Sequence, residues 1–445
     1  MTAERDRRGL AATHHALELE AAMDVVTGGV RPRTLLVLSC VLGLCLGCTS
    51  GTAPTSSSTS SSGPPSVSAD PAKADAVMKV VRDTMADAHL KAVIVSVTID
   101  GKEIATQAVG DSMPGVPATT DMHFRNGAVA ISYVSTALLQ LVDEKKVSLD
   151  DKVSTWLPDI PYTDKVTLGQ LAQMTSGYVD YVTTPELDDA QYANPFRTVT
   201  PEDLIAISTA HPLLYEPGTN WNYSHTNYVI LGLALEKITG QGVASLLERK
   251  VLGPLGLDNT TDPGTPAIPE PALHAYTSER RQALKIPAGT PFYEDSTYWN
   301  PSWTITRGAI QTTTIHDLNA TAVAIGTGTL LSPESYQKML TKDLIGRTTT
   351  LPGCTTCHPQ SPAYTYGLGI ISSGNWVLQN PLFSGEAGAY AYLPAQKVAI
   401  AVAVTFDQAA FDPATGDYKN SADVLWRRIA AALVPGDAPP MPPGS

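Results

Sequence analysis

Apolar positions between residues 75 and 90 recur at helical spacing, and from Ala92 to Asp100 the pattern changes to a β-branched run that predicts a strand. Asp100-Gly101-Lys102 then predicts a turn, with Glu103 to Gly110 as the hairpin mate. A long apolar helix is expected from Ser132 to Lys145, and the pattern stays mostly helical to about residue 345, broken by Pro/Gly-rich loops such as 259 to 272. Strand-like runs return at Tyr364 to Ser372, Gly388 to Leu393 and Val398 to Phe406, the last two joined by the turn Pro394 to Lys397. An amphipathic helix over 421 to 433 follows. Strands at both ends of the chain must share one sheet to bury their faces. The pattern therefore predicts an α/β (α+β) fold: an antiparallel sheet flanked by N- and C-terminal helices, plus a mostly helical lobe. The sheet part is expected from about 71 to 125 and 360 to 434, and the helical lobe from about 126 to 359.

The N-terminal pattern is of another kind. Residues 34 to 47 form a short apolar run behind Arg31 and Arg33, ending at Leu46-Gly47-Cys48. This resembles a lipoprotein export signal, so residues 1 to 48 are expected to be a leader, with Cys48 carrying the lipid and the mature protein anchored to the outer face of the cell membrane. Residues 49 to 70 are dominated by Ser, Thr, Pro and Gly, the composition of a flexible tether. Residues 435 to 445, rich in Pro and Gly, are expected to be disordered. With 43 acidic against 30 basic residues the net charge is −13, which disfavours binding to nucleic acid. Three of the five cysteines lie in the leader; Cys354 and Cys357 remain, and outside the cytoplasm a local disulfide is expected. No second Cys-x-x-Cys or His cluster completes a metal site, so no metal or other cofactor is expected.

A series of motifs gives the middle of the chain its chemistry. In order they are Phe124-Arg125-x-Gly127, Val147 to Pro158, Thr167-Leu-x-Gln-Leu with Thr175-Ser-Gly177, Pro217-Gly-Thr-x-Trp-x-Tyr-Ser224, Asn227 to Gly232, Gly308 to Leu318, Leu331 to Ser335 and Tyr366-Gly-Leu-Gly369. Together they resemble the serine β-lactamase-related family, which includes class C β-lactamases, D-alanyl-D-alanine carboxypeptidases and penicillin-binding proteins.

The resemblance implies a catalytic serine at the start of the buried helix and a lysine one turn later, close enough for the amine to take the hydroxyl proton while the helix N-terminus favours the developing charge. In register with Phe124 to Gly127, these positions hold Ala128 and Ile131. A methyl cannot form an acyl-enzyme and a sec-butyl group cannot accept a proton. Loss of a covalent nucleophile costs on the order of 10⁶-fold in serine hydrolases. The family's Tyr-x-Asn element reads Tyr223-Ser224-His225, keeping the Tyr, and its basic third element reads Phe383-Ser384-Gly385, without the base. A displaced Ser-x-x-Lys pair exists only at Ser335 and Lys338, where the family has an ordinary surface helix.

The resemblance thus predicts a degenerate member that acts as a cell-envelope binding or scaffolding protein, recognising a cell-wall peptide, another small ligand or a protein, with no nucleic acid partner and with the membrane met through the N-terminal lipid. The alternative is a working hydrolase of β-lactamase, esterase or D-Ala-D-Ala peptidase type, rebuilt around Tyr223 and His225, with Ser132, Ser135 and Ser224 nearby. The cluster Phe292, Tyr293, Tyr298, Trp299 and Trp303 is expected to be core of the lobe, and Glu294-Asp295 a solvated loop.

Overall fold

The computed structural model describes residues 68–441; the leader, Cys48 and residues 49 to 67 of the tether lie outside the described residues. Helix α1 (Pro71–Asp87) begins where Pro71 sets the helical φ and the Asp70 carboxylate accepts the Lys73 N–H. Its apolar stripe, Val77, Met78 and Val81, is buried beside the terminal helix Ser421–Leu433. Between these helices in sequence the chain builds a nine-stranded antiparallel sheet.

In spatial order the sheet runs Val116–Pro117, β2 (Lys102–Met113), β1 (Leu90–Ile99), Val398–Phe406, Glu386–Leu393, Trp376–Gln379, Ile371–Ser373 and Thr365–Tyr366. The short strand Leu382–Phe383 pairs with the start of Glu386–Leu393. β1 pairs with the last strand from Leu90 opposite Phe406 to Ile99 opposite Val398, closing the sheet across the length of the domain. Every residue of Glu386–Leu393 and Val398–Phe406 is buried. Helices therefore cover both faces there, which explains why these strands read as continuous apolar runs rather than alternating ones.

The helical lobe is threaded between the two halves of the sheet. Its centre is α2 (Val129–Asp143), buried at twelve of its fifteen positions and hence apolar nearly all round. The strand-like stretch expected from Tyr364 to Ser372 is two short strands instead, bent apart at Gly367 and Gly369; the Gly369 backbone has φ of +71° and a Cβ there would meet Ser135 Oγ. The C-terminal segment is a correction. Residues 435 to 441 are not disordered: Pro435–Asp437 forms a 3₁₀ turn, the Trp376 indole donates to the Asp437 carbonyl at 2.8 Å, and Arg427 donates to the Pro440 carbonyl at 2.5 Å. Composition alone missed the buried donors that this segment satisfies. Among the described residues no single helix is long and apolar enough to cross a membrane.

Candidate functional site

The N-terminus of α2 is held from both sides. Phe124 and Arg125 pair as a short strand with Thr312–Thr313, and Asn126 exchanges backbone and side-chain hydrogen bonds with Gln311 at 2.6 to 3.0 Å. The next residue, Gly127, has φ of +51°, and a Cβ on it would stand 2.7 Å from Pro381 Cβ. Glycine is required here by the close approach of the sheet edge. Ala128 then caps α2 without any side-chain hydrogen bond.

In front of this helix start lies a cleft of about 320 Å³, whose wall includes Ala128, Tyr223, His225, Trp303, Tyr364 and Phe383. Trp303 stacks on Phe383 with ring centres 5.5 Å apart and planes 24° apart, giving the cleft one flat apolar side. Gln379, Asn380 and Asn420 complete the wall, their amide N–H groups donating to the Gly369 carbonyl, the Asp423 carboxylate and the Asn380 carbonyl respectively. Burial pushes the Tyr223 hydroxyl well up from its ordinary value, so it stays protonated at neutral pH.

His225 is the most organised polar group of the cleft. The Asp180 carboxylate lies 3.1 Å from its Nδ1 through both oxygens, and Asp180 Oδ1 also accepts the His225 backbone N–H at 3.0 Å. A carboxylate only accepts, so the hydrogen sits on Nδ1. The imidazole is boxed by the rings of Tyr181, Tyr223 and Trp303 at 6.0, 5.1 and 6.5 Å. Sequence spacing did not find Asp180, because 45 residues separate it from His225 and only the fold brings them together.

The structure places the other sequence-derived residues less uniformly. Tyr223, His225, Ala128 and Phe383 converge on the cleft. Ile131 does not: it is fully buried in the core beneath the helix start, because a branched aliphatic side chain gains more there than at a wetted wall. Ser384 and Gly385 also leave the wall. Ser384 accepts from Ser296 Oγ through its carbonyl, and Gly385, at φ of +80°, packs so tightly that a Cβ would meet the Tyr276 carbonyl.

The remaining serines are committed elsewhere. Ser132 Oγ donates to the Val129 carbonyl, Ser135 bonds the Tyr228 hydroxyl, and Ser224 Oγ is buried with no partner. Ser335 donates to Asp143 while Lys338 pairs with Glu334, so these two do not act on each other.

The aromatic cluster divides between roles. Trp299 is core, Tyr293 stacks on Tyr276, Tyr298 is exposed at 37%, and Trp303 belongs to the cleft. Glu294 and Asp295 are not a solvated loop but a two-residue strand, paired with Arg280 and His274 respectively. Behind Phe383, buried Arg125 donates to the Pro266 carbonyl, and the Glu386 carboxyl beside it is pushed up to about 7 by burial, with Arg125 opposing the shift. Cys354 and Cys357 form a disulfide. The adjacent His358 packs edge-on against Trp221 and Tyr364, and Tyr364 lines the cleft. Among the described residues no three of His, Cys, Asp and Glu are grouped to hold a metal ion.

A buried helix whose N-terminus opens on a cleft between an antiparallel sheet and a helical lobe is the arrangement of the serine β-lactamase and transpeptidase fold, and the chain belongs to the beta-lactamase family, whose model matches residues 77–423. Among curated relatives, penicillin-binding protein 4 of Amycolatopsis lactamdurans is 31% identical over 196 residues, 42% of this chain and 47% of the relative. PbpX of Bacillus subtilis (strain 168) is 27% identical over 219 residues, 49% of this chain and 50% of its own length, so the chain spans about half the length of these curated relatives. Among solved structures, a D-stereospecific amidohydrolase from Streptomyces sp. superposes with a TM-score of 0.66 at 24% identity, covering 82% of this chain and 99% of that one. A penicillin-binding protein from Bacillus halodurans gives 0.62 at 18% identity, covering 79% and 98%; both likenesses speak to the fold.

Proposed function

We propose that this chain is an exported penicillin-binding-like lipoprotein, anchored through Cys48, that holds a cell-wall peptide or related small ligand in its cleft without forming an acyl-enzyme. The observation that carries the reading is the start of α2. There the methyl of Ala128 faces the cleft where the family resemblance calls for a hydroxyl, and Ile131, in the place of the amine, is sealed in the core. None of the serines near the cleft lines it: Ser132 and Ser135 are spent on hydrogen bonds inside the lobe and Ser224 Oγ is buried. The cleft is nonetheless kept open, with a stacked aromatic wall and several amide side chains, features that suit non-covalent recognition.

The test is to incubate the purified chain with fluorescent penicillin and weigh it intact. The expected result is no mass gain and no label after denaturation, together with an upward shift of thermal unfolding by a muropeptide. A penicilloyl adduct at one residue refutes the proposal.

A further inference from the structure

Non-covalent recognition alone does not require so rigid a pair as Asp180 and His225. The Asp180 side chain is 3% exposed and its Oδ1 is fixed by the backbone N–H of His225 at 3.0 Å and of Val182 at 3.3 Å. It is therefore a rigid acceptor for the His225 Nδ1 hydrogen. That bond selects one tautomer and leaves the lone pair on Nε2. Nε2 makes no hydrogen bond among the described residues, and His225, 18% exposed, lines the cleft. Across the same cleft, the backbone N–H groups of Gly127 and Ala128 at the start of the fifteen-residue α2 likewise find no acceptor among the described residues. A base and a pair of donors at a positive helix end thus share one hollow with a flat apolar wall.

We infer that this cleft hydrolyses carboxylic esters of a flat apolar alcohol or phenol by direct attack of water, with His225 as general base and Asp180 as its positioning residue. The inference rests on the proposed reading that no acyl-enzyme forms. His225 Nε2 takes a proton from water as the water oxygen bonds to the carbonyl carbon, and the carbonyl π pair moves onto oxygen, facing the Gly127 and Ala128 N–H groups. That oxyanion collapses, the bond to the leaving oxygen breaks, and the imidazolium returns its proton to the leaving oxygen. One water is consumed, an acid and an alcohol are released, and no redox change occurs. Esters are the favoured class because an alkoxide or phenoxide is a far better leaving group than an amide anion, which departs only if it is protonated as the bond breaks. The stacked Trp303 and Phe383 rings supply the surface for the apolar group.

Phenyl acetate and the mature chain make the test. Expected are many turnovers above the buffer rate, no mass gain on the protein at any time, and a solvent deuterium isotope effect on kcat. His225→Ala is expected to lose the activity by roughly 10²- to 10⁴-fold, the usual contribution of a general base, and to recover it in part with added imidazole. Asp180→Asn, which presents the wrong partner to Nδ1, lowers kcat while leaving KM nearly unchanged. His225→Gln, which still fills the site, serves as the second variant where the alanine form fails to fold. Absence of turnover by the unaltered chain, or a full rate in either folded His225 variant, overturns the inference. An acetylated protein, by contrast, overturns the non-acylating reading on which it rests, so the two failures are told apart.

Discussion

Glu279 sits in a second hollow with Asp188, Asp189, Tyr192 and Asp417, separated from the cleft by Leu382, which lines both. None of these four carboxylates forms an ion pair with a described cation, and Thr277 Oγ1 donates to Glu279 Oε2 at 2.8 Å. Burial first, then Asp188 and Asp417, push the Glu279 carboxyl from its ordinary 4.5 up to about 7. The folded chain therefore keeps that proton to higher pH than the unfolded chain does. Between those two values stability falls as pH rises, and above the higher one the cost is complete. Glu279→Gln is accordingly expected to melt at a higher temperature than the unaltered chain at pH 8, with the gap closing toward pH 4.5. Equal gaps at both pH values, by differential scanning calorimetry, argue against a buried charge at this residue.

At the scale of elements, the cleft depends on how closely the start of α2 approaches the strand-edge loop at Pro381. Gly127→Ala adds a Cβ 2.7 Å from Pro381 and demands a left-handed backbone of a residue that resists it. A loss of about 1–3 kcal/mol is expected, read from the urea midpoint at unchanged slope. The Val398–Phe406 strand and the terminal helix Ser421–Leu433 are legible to the residue, because an unbroken β-branched run and a strong apolar stripe leave few alternatives. Trp376–Gln379 and Leu382–Phe383 are not, being two to four residues long and bounded by turns that carry no periodicity. The cleft is legible in the same uneven way. Ala128, Tyr223, His225 and Phe383 follow from motif register, whereas Ile131, Ser384 and Gly385 fall off the wall, since register names a position along a strand or helix and not the direction its side chain takes. Asp180 escapes altogether, as no spacing rule links a loop carboxylate to a helix start 45 residues on.

For the molecule as a whole, the C-terminal segment fastens the sheet to the last helix. Asp437 accepts from Asn375 and Gln396 at 3.0 and 2.6 Å, its carbonyl satisfies the Trp376 indole, and the Pro440 carbonyl satisfies the buried Arg427 guanidinium. Ending the chain at Val434 leaves these donors to water or to nothing. An expected loss of about 2–4 kcal/mol follows from roughly 1–3 kcal/mol per stranded buried group, to be measured by chemical denaturation. A chain shortened to 434 that unfolds at the original midpoint shows the segment to be dispensable.

The pairing of β1 with Val398–Phe406 reaches further, into synthesis itself. A ribosome delivers β1 early and its central neighbour almost three hundred residues later, so the hydrogen-bonding edge of Leu90–Ile99 waits unfilled through most of translation. Closing so long a loop is a slow, entropically costly step. Until the final strand emerges, the growing polypeptide has no finished sheet to shelter its apolar helices. A chain built in this order completes its central sheet only once its last strand has been made, so folding of the whole domain is expected to follow synthesis rather than accompany it.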